Sequence, residues 1–249
     1  SFIDETAALA LNNGARIEVN NTTIRDSDAF GIHLDRDARL PNFEGNTLTA
    51  NGQAPVNLPA SAMADMDGNS TFANNPSAYV RVYDRDIVDD ATINALDVPY
   101  RIFGSPFVSN DAFVTVSAGV VMEFTANASF GAGSDGAVAF EGTSSNRIQL
   151  TGTQTPTDGG FWNGIEFYSA DTRNRMVYTD VEYGGAARLS FIDAPANVGL
   201  NNGARLTIEN TAMNYSGDYG GYADDGSGAN VMAADNTLTG NDGQANTNW

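Results

Sequence analysis

The 249-residue chain sets 12 Lys+Arg against 31 Asp+Glu, a formal charge of −19. That balance argues against nucleic acid as a partner, because affinity for it comes from cations that neutralise phosphates, and it disfavours an anionic membrane surface. With no cysteine there is neither a disulfide scaffold nor a thiolate metal site, and no apolar run approaches the 18 residues that a membrane span needs.

Along the chain, apolar residues alternate with polar ones in short bursts, the period-2 pattern of half-buried strands. Ala15/Ile17/Val19, Ile32/Leu34, Val80/Val82, Val114/Val116, Val120/Met122/Phe124, Val138/Phe140, Ile148/Leu150, Ile165/Phe167 and Leu206/Ile208 are the inward-facing sets. Arg16, Glu18, His33, Arg81, Glu123 and Glu166 are expected to point outward. The one helix candidate spans 58–66, with Pro59 suited to its first turn and Gly68 to its stop. Between the bursts stand Asn, Gly and Asp, as in Asn12-Asn13-Gly14, Asn20-Asn21, Asn51-Gly52, Asn74-Asn75 and Asn201-Asn202-Gly203. These residues accept the left-handed backbone of tight corners.

The sequence also repeats itself. Residues 190–211, SFIDAPANVGLNNGARLTIENT, restate 1–22, SFIDETAALALNNGARIEVNNT, at an offset of 189 (190 − 1). Asn46-Thr-Leu-Thr49 returns as Asn236-Thr-Leu-Thr239 one residue later, and the whole repeat relates 1–56 to 190–249. Many short strands, asparagine-glycine corners and a long repeat predict an all-β parallel solenoid, in which each coil stacks on the next about 4.8 Å along the axis. At about 20–25 residues per coil the chain makes roughly ten to twelve coils with one continuous core, over 1–249 as a single unit.

Several phrases carry a resemblance. Val98-Pro-Tyr-Arg-Ile102, Gly119-Val-Val-Met-Glu-Phe124, Ile148-Gln-Leu-Thr-Gly152, Trp162-Asn-Gly-Ile-Glu-Phe167 and Val177-Tyr-Thr-Asp-Val-Glu-Tyr-Gly-Gly185 follow one another in order. In this order they resemble the right-handed parallel β-helix modules of secreted and surface-anchored bacterial proteins. The resemblance implies an extracellular, rod-like segment of a larger repetitive protein, structural or adhesive and without catalysis. Neither end of the sequence reads as a cap over the solenoid, so neighbouring coils, or copies of the same protein stacked end to end, are the expected partners, with carbohydrate or another cell surface beside them.

Three groups of residues are candidates for chemistry. Asp84, Asp86, Asp89 and Asp90 crowd one turn and supply oxygen donors of the kind that Ca²⁺ takes six to eight of. Asp26, Asp28, Asp35 and Asp37 surround the sole histidine, His33, and are the set that a polysaccharide-cleaving lyase or hydrolase would need for proton transfer. Tyr215, Tyr219 and Tyr222 with Asp224 and Asp225 offer flat rings beside carboxylate acceptors, the chemistry of carbohydrate binding. A polysaccharide-binding or polysaccharide-cleaving module is therefore the alternative to the non-catalytic rod.

Overall fold

In a computed structural model of the chain, residues 5–189, 192–224, 226–232 and 235–242 are described. Asp225 lies outside them. The fold is all-β, with several long parallel sheets and almost no helix, an arrangement compatible with a β-helix. Among the described residues, every strand pairing is parallel.

A nine-stranded sheet begins with Ala7–Leu11, Phe30–Leu34 and Val56–Pro59 and runs to Ala212–Asn214. A six-stranded sheet runs from Ala91–Ile93 to Gly228–Met232, and a five-stranded one from Phe107–Val108 to Tyr219–Ala223. From Tyr100 onward the chain visits the nine-, five- and six-stranded sheets in strict rotation.

Register makes the core. Val80, Tyr100, Met122, Leu150, Val181 and Met213 align across the nine-stranded sheet, and Ile93, Val116, Phe140, Met176 and Ile208 across the six-stranded one. All eleven are buried. Since strand side chains alternate between faces, a polar residue between each pair points the other way, and each row stacks like on like. Fully burying one such side chain stabilises by about 1.5–3 kcal/mol, so the rows hold the parallel strands together.

The corners are polar and buried. Asn51 and Asn75 stack 24 residues apart, with the Asn75 Oδ1 accepting both the Asn51 backbone N–H at 2.9 Å and its Nδ2–H at 3.1 Å. Asn75 Nδ2 donates in turn to the Leu48 and Phe72 carbonyls. The 189-residue repeat is a repeat of backbone and of these bonds. Positive φ recurs at Asn13 and Asn202, at Gly14 and Gly203, at Asn21 and Asn210, and at Asp26 and Tyr215. Asn46 Nδ2 donates to the Val19 carbonyl just as Asn236 Nδ2 donates to that of Ile208, and Asn51 reaches Ile24 just as Asn241 reaches Met213.

The two copies nevertheless lie in different sheets. Ala7–Leu11 belongs to the nine-stranded sheet, but its counterpart Ala196–Leu200 belongs to the five-stranded one. Thr23–Arg25 pairs in a small two-stranded sheet, whereas its counterpart Ala212–Asn214 closes the nine-stranded sheet. The spacing changes between them: His33 and Asn57 are paired 24 residues apart, but Val80 meets Tyr100 after only 20 (100 − 80).

Three expectations need correction. Ile17 is 41% exposed, and of the 15–19 run only Val19–Asn20 is a strand, with an isolated bridge at Arg16. The 58–66 helix is a six-residue 3₁₀ turn, Ala60–Asp65, with Pro59 as its N-cap and Leu58 still in a strand. His33 is buried at 7% exposure, as is Glu166 at 2%. Both do face away from the apolar core, but neighbouring side chains cover them.

Candidate functional site

The acidic turn at 84–90 is bonded to the backbone of residues 105–113. Asp84 Oδ1 accepts the Ser105 N–H at 3.2 Å, Asp86 Oδ1 that of Phe107 at 3.1 Å, and Asp90 Oδ1 that of Phe113 at 2.7 Å. Asp65 and Asp97 act likewise on the Leu40 and Phe72 N–H groups. Carboxylates here satisfy backbone donors that the irregular edges of the sheets leave over. Asp89 lines a cavity of about 250 Å³ with Arg16, Arg39 and Asp65. Burial raises the Asp65 carboxyl above its usual range despite the Leu40 N–H and the Arg39 guanidinium. Among the described residues no three of the His, Asp and Glu side chains come close enough to hold a metal ion. Because three of the four carboxylates of the turn already accept backbone N–H groups, melting curves recorded with calcium and with a chelator are expected to share one midpoint. A midpoint raised by calcium would place a metal ion at the 84–90 turn.

The 26–37 carboxylates are dispersed among separate partners. Asp26 pairs with Arg25 at 3.5 Å, Asp37 pairs with Arg85 at 3.1 Å, and Asp35 Oδ1 accepts the Arg36 N–H. Asp28 is exposed. Burial, together with Asp35 and Asp37, raises the Tyr83 phenol, whose hydroxyl donates to the Leu34 carbonyl. His33 Nδ1 lies 2.9 Å from Asn57 Nδ2, and Arg81 Nη1 lies 3.0 Å from Asn57 Oδ1. A guanidinium only donates, so Asn57 turns its oxygen to Arg81 and its N–H to His33, which makes Nδ1 an acceptor.

The outward face of the nine-stranded sheet holds a constellation that the sequence reading missed. Arg81 and Arg101 are register neighbours, Arg81 lying over Phe103 at 4.7 Å and Arg101 over Tyr79 at 3.8 Å, with Glu123 clasping Arg101 at 2.6 Å. Farther along, Arg147 binds Asp180 at 2.6 Å, and Glu182 stands in register with Asn214. Burial and Asp180 raise the Glu182 carboxyl above the usual range. The alternation of 80–83, 100–103 and 179–182 was the available signal, since it fixes which residues face out.

The tyrosines separate. Tyr219 and Tyr222 lie on the five-stranded sheet, 5.0 Å apart but tilted by 57°. Burial, then Asp224 and Asp193, raise the Tyr222 phenol. Tyr215 instead stacks on Tyr183 at 5.2 Å and 13°. Trp162 is a core residue, lying flat on Phe124 at 4.0 Å with its Nε1–H on the Glu182 carbonyl.

No protein-family model, curated protein or solved structure matches the chain. Its site is therefore read from geometry alone. The Tyr183–Tyr215 pair, stacked face to face, lies beside Glu182 and Asn214, with Tyr215 40% exposed and Tyr183 packed against the core.

Proposed function

We propose that the chain is a right-handed parallel β-helix, one continuous unit serving as a non-catalytic structural and adhesive rod segment of a larger extracellular surface protein. Support comes from the length of the parallel stack: among the described residues the longest sheet has nine strands, with the Ala212–Thr237 bridge beyond them. The observation that carries the reading is the use of the carboxylates. Asp84, Asp86, Asp90, Asp65 and Asp97 cap backbone donors of an adjoining coil, so the acidic side chains serve the stack. A rod whose coils satisfy one another's backbone groups gains length without a larger core. The 189-residue repeat supports contact with further coils of the same kind, within one chain or between copies.

The test is direct. Incubation with pectin, alginate and xylan should release neither reducing ends nor unsaturated products absorbing in the ultraviolet. Release that disappears in Asp35→Ala would sink the non-catalytic reading and place a polysaccharide-cleaving site on the 26–37 face.

A further inference from the structure

One set of apolar residues lies open in the first copy of the repeat and buried in the second. Leu9 and Ile24 are half-buried, Ala15 is exposed, and Ile17 is 41% exposed. At the offset of 189 their counterparts are Val198, Met213, Ala204 and Leu206, and all four are fully buried. Every one of these positions is apolar in both copies, so residue type does not make the difference. The neighbour does. In the second copy Gly164–Phe167, Arg175–Val177 and Thr179–Glu182 pair along Ala196–Leu200, Arg205–Glu209 and Ala212–Asn214. Ile165 thereby stands on Val198, Met176 on Ile208 and Val181 on Met213. In the first copy Ala7–Leu11 pairs only with Phe30–Leu34 among the described residues, and Val19–Asn20 and Thr23–Arg25 pair only with Phe43–Glu44 and Thr47–Thr49. Open apolar area beside unpaired strand edges is a surface that favours a partner.

Backbone and charge say which partner fits. The Arg205 N–H donates to the Ser169 carbonyl and the Thr207 N–H to that of Asn174, both at 3.1 Å. At the same places in the first copy, the N–H groups of Arg16 and Glu18 find no acceptor among the described residues. Carried over by the same offset, Arg175 would stand opposite Glu18, where the second copy has Thr207. Glu182 would stand opposite Arg25, where the second copy has Asn214. Both are opposite-charge pairs directly across neighbouring strands, an arrangement that stabilises. Among the described residues Arg25 now meets only the adjacent Asp26, at 3.5 Å, and Glu18 only the Asn42 amide.

We propose that the 7–25 face seats one further parallel coil with the sequence chemistry of 164–182, in the register that the second copy shows. Its apolar residues cover Leu9, Ile17 and Ile24, its carbonyls take the Arg16 and Glu18 N–H groups, and its arginine and glutamate meet Glu18 and Arg25. The inference rests on the stacked-coil reading above and names the partner of this open face.

The experiment joins residues 163–189 directly ahead of Ser1 in the full chain, because residue 189 immediately precedes Ser190, the equivalent of Ser1. The chain has no cysteine, so Ile17→Cys and, separately, Leu206→Cys report coverage through their rate of reaction with a thiol reagent. The thiol at 17 should react readily in the parent chain and about tenfold more slowly in the extended one, and the thiol at 206 slowly in both. A control extension, with the added counterparts of Ile165, Phe167, Met176 and Val181 changed to Asn, should leave 17 reactive. Undiminished reaction at 17 in the extended chain, with 206 still protected, overturns the proposal and leaves the stacked-coil reading standing. Ready reaction at 206 overturns both. Equal protection by the control extension overturns the proposal, because packing would then not be what covers the face. Reaction at 17 in the parent chain that slows as protein concentration rises makes a second copy the occupant, and overturns it as well.

Discussion

Trp162→Ala is expected to destabilise the protein by about 3–5 kcal/mol, the range for deleting a large buried aromatic. Trp162 is fully buried and lies nearly parallel to Phe124, the two rings 4.0 Å apart. Its indole N–H donates to the Glu182 carbonyl at 2.8 Å, so truncation removes the stack, leaves a cavity and orphans a carbonyl. For a chain of this size that corresponds to a fall in Tm on the order of 10 °C. Trp162→Phe should recover part of the loss, since it restores ring contact but not the hydrogen bond. Differential scanning calorimetry of the three proteins checks the order. Equal melting of Trp162→Ala and the parent would mean that this corner is not packed as described.

Asn75→Ala is the second large effect, at about 3 kcal/mol. Asn75 is 7% exposed and serves five partners: the Asn51 N–H and Nδ2–H on its oxygen, and the Leu48, Phe72 and Ala73 carbonyls on its nitrogen. Each buried group left without a partner costs about 1–3 kcal/mol. Asn75→Asp should be worse than Ala despite near-identical shape, because it keeps the acceptor, loses both donors and buries a charge. Urea titrations of the two variants read this directly. If Asn75→Asp proved the more stable of the two, the ladder would not be wired as the geometry has it.

The scaffold was legible in the sequence because a coil stack demands the same chemistry at every level. Alternation at Val80/Val82 or Val114/Val116 marks the core rows, and Asn-Asn-Gly marks the left-handed corners at Asn13 and Asn202. Legibility fails where partners come from the next coil, because coil length varies. Asp84 meets Ser105 after 21 residues, Arg147 meets Asp180 after 33, and Val138 meets Asn174 after 36. No fixed period foretells such partners, so the backbone caps that the acidic run at 84–90 supplies were not legible in the sequence. His33 fails for a related reason: its place on the outward face was read from alternation, but the Asn57 that covers it lies 24 residues on. The tyrosine pair was half visible: Tyr215 was grouped with Tyr219 and Tyr222, its neighbours in sequence, but its companion proved to be Tyr183.

The central claim is that coils stack parallel and in register, and that the two copies of the repeat do so alike. Because the chain has no cysteine, introduced pairs report on this without background. Thr23 pairs with Thr47, and at the corresponding positions of the second copy Ala212 pairs with Thr237. Cysteines placed at 23 and 47, and separately at 212 and 237, should both oxidise readily to a disulfide, since adjacent parallel strands bring their Cα atoms within bridging distance. Pairs displaced by two residues, 23 with 49 and 212 with 239, should stay reduced. Equal oxidation of the displaced pairs, or oxidation in one copy only, would contradict the account.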